Sequence, residues 1–182
     1  MTIAGSDSGA GAGIQADLKT FAALGVYGTT VLTTITAQNT QGVTSIHEVP
    51  SKVIRDQFDA VISDIGADAV KTGMLSSVEI IETIADSLKS LSMTNIVIDP
   101  VMVAKGGARL LHQDAVEVLR SKLLPLARIT TPNIPEAEVL SGLKVRTLQE
   151  AKQAATAIAE LGAKSVVVKG GHLVGEEAVD IY

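Results

Sequence analysis

The chain of 182 residues contains no cysteine and no tryptophan, and aromatic residues make up only 2% of it. The absence of cysteine excludes disulfide bonds and thiolate metal sites. The three histidines, His47, His112 and His172, are too far apart in sequence to have the spacing of metal ligands. Because 46% of the residues are hydrophobic and few are aromatic, we expect an aliphatic core, as in parallel strands that helices cover on both faces.

The sequence also lacks an excess of basic residues and any long apolar run. The formal net charge is −5 and the lysines and arginines are scattered, which argues against a nucleic-acid partner. No apolar stretch approaches the roughly 18 residues that span a bilayer, and no signal-like segment opens the chain. We therefore expect a cytoplasmic protein without a membrane partner, folded as a single domain over residues 1–182.

Strand-like and helix-like segments alternate about six times along the chain. Runs of β-branched and aliphatic residues predict strands at 1–4, 27–39, 45–50, 68–73, 95–100, 128–132 and 164–170. Apolar residues at helical spacing predict helices at 13–25, 51–64, 76–91, 113–125, 134–142 and 147–162. Helices then cross over between parallel strands. We predict an α/β fold, a three-layer, doubly wound, mostly parallel sheet with helices on both faces, rather than an eightfold barrel of about 250 residues.

Polar residues and glycines follow nearly every predicted strand. In doubly wound sheets ligands bind outside the carboxyl ends of the strands, so these loop tips are expected to gather along one rim. The segments concerned are Gly5-Ser6-Asp7, Gln38-Asn39, Thr72-Gly73-Met74, Asp99-Pro100-Val101, Thr131-Pro132-Asn133 and Lys169-Gly170-Gly171.

The segment AGSDSGAGAGIQAD, residues 4–17, places four glycines between the first predicted strand and helix. It is not a P-loop, since none of its glycines is followed directly by Lys and then Ser or Thr. Residues 11–16 match the dinucleotide pattern G-x-G-x-x-A, but the next strand ends in Gln38, where that pattern needs an acid. A tight turn would explain one glycine. Four glycines beside two aspartates favour a ligand-facing loop, and the neutral amide favours a heterocyclic ring over a ribose.

Several separated motifs together resemble one family. They are TIAGSDSGAGAGIQADLKTF, TAQNTQGV, VKTGML, VIDPVMVAKGG, TPNIPEAEVL and VVKGGH. In this order they resemble the hydroxymethylpyrimidine phosphate kinases of thiamine biosynthesis, members of the ribokinase-like superfamily. The resemblance implies ATP-dependent phosphorylation of 4-amino-5-hydroxymethyl-2-methylpyrimidine and of its monophosphate, a Mg²⁺ requirement and a homodimer. Which of the two substrates is preferred stays open.

The resemblance also implies a substrate-binding set, namely Gly5, Asp17, Gln38, Met74 and Val101. The side chains suit this role, because Gln38 offers both a carbonyl and an amide NH₂ to a ring edge, while Met74 and Val101 offer apolar walls. Two simpler explanations remain. Met74 could fill the core after its strand, and Asp17 could be a solvated acid in the first turns of its helix, where the dipole favours it.

On the nucleotide side, the resemblance implies that Asp99, Asn133 and Lys169 bind the cofactor and that Asp99 and Glu136 hold Mg²⁺. A carboxylate at a strand end suits Mg²⁺ or its waters, although Asp before Pro also starts turns. The spacing of Asn133 and Glu136 equally predicts a helix start, with Asn as cap and Glu in the first turn. Lys105 is a further candidate cation or a solvated surface lysine.

Two alternative functions are considered in addition to that of a pyrimidine kinase. One is a pyridoxine or pyridoxal kinase of the same superfamily, and the other is a module that binds the pyrimidine without catalysis. The second follows from a departure from the family pattern, because the glycine-rich G-[TA]-G-[CD] segment that builds the anion hole has no match up to Tyr182. The catalytic residue is therefore expected beyond Tyr182. A nicotinamide-dependent dehydrogenase is a third, weaker reading of residues 11–16.

Overall fold

The computed structural model describes residues 1–91, 93–102, 111–112, 114–171 and 178–182. Six strands form one sheet: β1 (Thr2–Asp7), β2 (Thr30–Gln38), β3 (Val43–Glu48), β4 (Val70–Thr72), β5 (Ile96–Ile98) and β6 (Ile129–Thr130). Six α-helices accompany them: α1 (Gly13–Ala23), α2 (Ser51–Asp64), α3 (Val78–Ser90), α4 (Ala115–Val118), α5 (Ile134–Ser141) and α6 (Leu148–Glu160). None of the helices in the described part of the chain is both long and apolar enough to cross a membrane.

The strands lie in the order β3-β2-β1-β4-β5-β6, so the chain passes from β3 at one edge, past β2 and β1, to β4. Only β3 is antiparallel to its neighbour; the pairs from β2 to β6 are parallel. Because β1 and β4 are adjacent at the sheet centre, their carboxyl ends open side by side. This is the topological position at which such sheets bind ligands. The predicted mostly parallel α/β sheet is confirmed.

Helices flank the sheet on both faces. Thr2 of β1 and Lys71 of β4 hydrogen-bond to Asp17, so their side chains point toward α1. Strand residues alternate between faces, and Ile3 and Val70 accordingly join the buried aliphatic cluster that includes residues of α2 and α3. The aliphatic core expected from the composition thus lies mainly on the side of the sheet opposite α1.

Several predicted element bounds differ from the structure, and three of the differences have a local cause or consequence. β1 continues to Asp7 rather than ending at residue 4, because its last residues still pair with β2. The helix predicted over 113–125 is regular only in α4, then widens to a π-helical turn over Leu119–Leu123 and tightens to a 3₁₀ turn over Leu124–Leu126. Pro125, which has no N–H, lies in that last turn. The strand predicted over 164–170 forms only isolated bridges, including Thr130 to Val166 beside β6.

Candidate ligand-binding site

The glycine loop between β1 and α1 is organised by the carboxylate of Asp7, which is only 5% exposed. One of its oxygens accepts the N–H of Gly9 at 2.8 Å, and the other accepts those of Gly11 and Ala12 at 2.9 and 2.8 Å. Successive backbone N–H groups in such a loop form an anion-binding concavity. Here the anion is the protein's own carboxylate, so these N–H groups are not available for a phosphate.

Close backbone approach explains two of the loop's glycines. Gly13 has φ +58°, and a Cβ there would lie 2.3 Å from the carbonyl oxygen of Gly5. A Cβ on Gly5 would lie 2.5 Å from Thr34 Oγ1 and 3.3 Å from Met74 Sδ. Any side chain at either position would therefore collide with the wall of the site. The tight-turn explanation is correct for these glycines, and it also shapes the adjacent cavity.

A cavity of about 340 Å³ opens at the carboxyl ends of β1, β2, β4 and β5. It is bordered by all five residues of the predicted substrate-binding set, which come from five separate segments of the chain, and by Asp99. The lining residues are Gly5, Ser6, Asp7, Ala12, Gly13, Ala16, Asp17, Thr36, Gln38, Lys71, Gly73, Met74, Asp99 and Val101. Four of the six strand-end segments expected along one rim thus meet at this cavity, whereas residues 131–133 and 169–171 are not among its lining residues. Its volume falls in the range of small-molecule sites.

Gln38 is held at the end of β2 by contacts to its backbone and its side chain. The Ser8 hydroxyl accepts the N–H of Gln38 at 2.7 Å and is 2.7 Å from its carbonyl oxygen, which ties the glycine loop to β2. The Thr36 hydroxyl lies 3.2 Å from Oε1 of Gln38. That hydroxyl has one proton and also lies 2.9 Å from the carbonyl oxygen of Ser6, so its contact with Gln38 places the side-chain amide at the cavity wall beside Thr36.

Met74 is only 8% exposed, so it both fills the core and borders the cavity. The Thr33 hydroxyl donates to its carbonyl oxygen at 2.8 Å, and the Thr34 hydroxyl lies 3.7 Å from Sδ. The first contact holds the backbone of Met74, and the second limits the freedom of its flexible side chain. The core-filling explanation and the binding role are compatible in this position.

Asp17 is neither isolated nor solvated. Its side chain is 17% exposed and forms an ion pair with Lys71, whose Nζ lies 2.9 Å from Oδ2 and 3.1 Å from Oδ1. Thr2 donates its hydroxyl to Oδ2 at 2.6 Å. The expectation of a solvated acid stabilised by the helix dipole is therefore wrong. Lys71 also lines the cavity and was not predicted from the sequence, although a lysine inside a short apolar strand was a visible signal.

Asp99 lies at the β5 end of the cavity. Its Oδ1 accepts hydrogen bonds from Lys169 Nζ at 2.9 Å and from the Thr131 hydroxyl at 3.0 Å. The Lys169 side chain is 42% exposed, against 23% for Asp99. Asp99 is thus more than a turn-starting residue: it joins the ends of β5, β6 and the segment after α6. Lys169 itself is not a lining residue of the cavity.

Asn133 and Glu136 form a reciprocal capping box at the start of α5. The Asn133 side chain accepts the N–H of Glu136 at 2.9 Å, and Glu136 Oε2 accepts the N–H of Asn133 at 2.9 Å. Glu136 is 5% exposed, and its Oε1 accepts the N–H of Met102 at 3.4 Å. Burial raises the pKa of Glu136, while the N–H of Asn133 opposes that shift. The helix-start explanation is therefore correct.

The predicted Mg²⁺ site stays a prediction. In the described ranges, no three His, Cys, Asp or Glu side chains cluster closely enough to hold a metal ion by themselves. Asp99 has one oxygen engaged by Lys169 and Thr131, whereas both oxygens of Glu136 accept backbone N–H groups. Asp99 fits Mg²⁺ or its waters better than Glu136 does.

The candidate cation Lys105 lies outside the described residues, as does His172. Gly170 allows a close backbone approach, but by another segment of this chain rather than by a ligand. A Cβ there would lie 1.8 Å from the carbonyl oxygen of Val179, and its N–H donates to Asp180 at 2.9 Å.

Comparison with known proteins identifies the family. A sequence model described as phosphomethylpyrimidine kinase matches residues 7–182. The chain is 55% identical to the thiamine biosynthesis bifunctional protein ThiED of Geobacter sulfurreducens, covering 100% of this chain and 37% of that protein. It is 53% identical to the hydroxymethylpyrimidine/phosphomethylpyrimidine kinase of Haemophilus influenzae, covering 98% of this chain and 66% of that protein. The chain thus spans less than two thirds of the length of these relatives.

Solved structures agree with this assignment. Phosphomethylpyrimidine kinase from Clostridium difficile superposes with a TM-score of 0.92 at 53% identity, covering 99% of this chain and 78% of that one. An ADP complex of Bacillus subtilis pyridoxal kinase superposes with a TM-score of 0.89 at 46% identity, covering 98% of this chain and 68% of that one. The fold is therefore that of the ribokinase-like α/β proteins. Within that class, the chain belongs to the phosphomethylpyrimidine kinase family.

Proposed function

We propose that this chain carries the pyrimidine-binding site of a kinase of thiamine biosynthesis that phosphorylates 4-amino-5-hydroxymethyl-2-methylpyrimidine and its monophosphate. The observation that carries the proposal is the shared cavity of Gln38, Met74 and Val101, which come from three separate strand ends. An amide opposite apolar walls suits a small heterocycle that carries an amino group. The names of the relatives in the same family support this substrate class.

The pocket would select the substrate mainly by the Gln38 amide. From its place beside Thr36, the side chain would present both a donor and an acceptor to the ring. Met74 would lie against a face of the ring, and Gly5 leaves the space that a side chain would fill. These contacts would hold the hydroxymethyl group in one orientation, and positioning is most of what phosphoryl transfer requires of a protein.

The cofactors belong to the same proposal. ATP would supply the γ-phosphoryl group, and Mg²⁺ would neutralise charge on it. Lys169 is partly exposed beside Asp99, so its ammonium group could exchange this carboxylate for phosphate oxygens while Asp99 turned toward Mg²⁺ or its waters. Asn133 and Glu136 would contribute by fixing the start of α5 nearby. The ADP complex of the Bacillus subtilis pyridoxal kinase supports nucleotide binding by this fold.

The pyridoxal-kinase alternative is not favoured. Its fold is equally compatible, but the family match and the curated relatives name the pyrimidine substrate. Pyridoxal therefore serves as the competing ligand in the test below. The homodimer and the non-catalytic module both stay predictions.

Replacing Gln38 tests the proposal directly. We expect Gln38→Ala to weaken binding of the pyrimidine alcohol by roughly 5- to 150-fold, equivalent to about 1–3 kcal/mol, because a ring-edge partner is lost. Isothermal titration calorimetry measures this effect, and the melting temperature reports whether the fold is retained. Gln153→Ala removes the same amide from an exposed position on α6 and is expected to change neither quantity. Unchanged affinity in Gln38→Ala, or tighter binding of pyridoxal than of the pyrimidine by the unmodified chain, would contradict the proposal.

A further inference from the structure

Lys71 occupies an unusual place for a charged residue. It is the middle residue of β4, a strand that has β1 on one side and β5 on the other. Its neighbours Val70 and Thr72 are 1% and 0% exposed. Lysine is rarely withdrawn from water, and a partly buried ion pair adds little net stability to a fold. The position of this charge therefore suggests a role in the cavity rather than in the core.

The contacts of Lys71 fix the Asp17 carboxylate in one orientation. Nζ lies within 3.1 Å of both carboxylate oxygens, and the Thr2 hydroxyl donates to Oδ2 from the other side. Space for the ammonium group is left by Gly73, where a Cβ would lie 3.0 Å from Nζ and 3.0 Å from the Cβ of Ala4. The carboxylate thus has little freedom to rotate.

The same contacts leave a defined acceptor. A carboxylate offers about four lone-pair sites, two on each oxygen. Among the described residues, Oδ2 accepts from Lys71 and Thr2, whereas Oδ1 accepts from Lys71 alone. One site of Oδ1 is therefore available in a cavity that Asp17, Lys71 and Gln38 all line. An acceptor there suits an N–H or O–H donor of a ligand.

We propose that Lys71 is a positioning residue of the candidate site: it holds Asp17 so that Oδ1 accepts a hydrogen bond from the amino or hydroxymethyl group of the pyrimidine. This inference rests on the function proposed above. Lys71 itself need not touch the substrate. Its contribution is to selectivity, because a carboxylate fixed in this way favours ligands that bring a donor to one defined point.

The test compares Lys71→Met with the unmodified chain against three ligands by calorimetry. The ligands are the pyrimidine alcohol, an analogue with hydrogen in place of the amino group, and an analogue with methyl in place of hydroxymethyl. We expect Lys71→Met to weaken binding of the parent pyrimidine by about tenfold, as for loss of one well-oriented hydrogen bond to a charged group. One of the two analogues lacks the group that donates to Asp17 Oδ1. For that analogue, Lys71→Met should change the affinity by less than about twofold.

Controls separate positioning from folding. Lys52→Met breaks another lysine–aspartate pair, to Asp56 at 2.6 Å, on the exposed surface of α2, and should leave all three affinities unchanged. If Lys71→Met does not melt cooperatively, Lys71→Gln carries the test with the same ligands. Its neutral amide holds Asp17 more weakly than the ammonium group does, so we expect a smaller loss of parent affinity, about threefold, with the same exception for one analogue.

Different outcomes of these titrations would contradict either this inference or the proposed function. If Lys71→Met binds the parent pyrimidine within about twofold of the affinity of the unmodified chain, this inference is overturned and the proposed function is not. Equal loss of affinity for both analogues on substitution would also overturn it, since no single donor would then be involved. Failure of the unmodified chain to bind the parent pyrimidine would instead overturn the proposed function, and this inference with it.

Discussion

The two sides of the cavity are shaped in different ways. On the β1 side, glycines without side chains let backbone segments approach closely. On the β5 side, charged side chains pair with one another. Gly5 and Gly13 approach each other so closely that a Cβ on Gly13 would lie 2.3 Å from the carbonyl oxygen of Gly5. Asp99 and Lys169 meet at 2.9 Å across two segments, and both remain partly exposed.

The difference between the two sides suggests how each can be perturbed. On the β1 side, even the carboxylate of Asp7 is directed inward, and both of its oxygens accept loop N–H groups. Adding atoms there, or removing that internal anion, should damage the fold. On the β5 side, an exposed ion pair contributes little to stability, so its removal should leave the fold intact.

The largest effect is expected for Gly13→Ala. A positive φ disfavours alanine by roughly 1–2 kcal/mol, and the collision with Gly5 adds an overpacking penalty of about 1–3 kcal/mol. We therefore expect the free energy of unfolding, measured with urea, to fall by about 3 kcal/mol. Gly25→Ala is a matched control, since Gly25 has φ +70° but nothing within 4 Å of the added Cβ. Equal losses in the two variants would show that close approach does not shape the loop.

A smaller difference is expected between Asp7→Asn and Asp99→Asn. At position 7 the new NH₂ group faces at least one loop N–H, so a buried donor loses its acceptor, and we expect a loss of about 2 kcal/mol in urea unfolding. At position 99, Lys169 and Thr131 share one oxygen that asparagine can retain, so the loss should stay below about 1 kcal/mol. If Asp99→Asn proved the more destabilising, the two sides would not differ in the way described.

Much of the site was predictable because it follows from topology. Parallel strands share one carboxyl end, so residues after the strands, such as Gln38, Met74 and Asp99, gather there whatever their separation in sequence. Capping chemistry is equally local, which is why the spacing of Asn133 and Glu136 predicted the start of α5. Element bounds were less reliable, as the irregular turns around Pro125 illustrate.

The pairing of Lys71 with Asp17 was not predictable by the same rules. The two residues are 54 positions apart, and their contact depends on how α1 packs across β1 and β4. No periodicity or motif encodes that packing. Similarly, residues 164–170 have the composition of a strand, but strand formation needs a regular partner ladder, and the described residues offer only isolated bridges to Thr130, Asn133 and Ile181.

The smallest effect compares two capping boxes, one on the β5 side of the site and one remote from it. Burial raises the pKa of Glu136 above its ordinary value of 4.5, so the unfolded chain releases this proton first and stability falls as pH rises from 4.5 through the raised pKa. Glu136→Gln keeps the helix cap but removes the titrating carboxyl group. The free energy of unfolding of this variant, relative to that of the unmodified chain, should therefore increase between about pH 4 and pH 7 in urea unfolding. Glu150, in the box that starts α6, has its pKa lowered by the N–H of Arg146, so Glu150→Gln should show the opposite trend. Trends of the same sign would mean that burial does not govern the charge of Glu136.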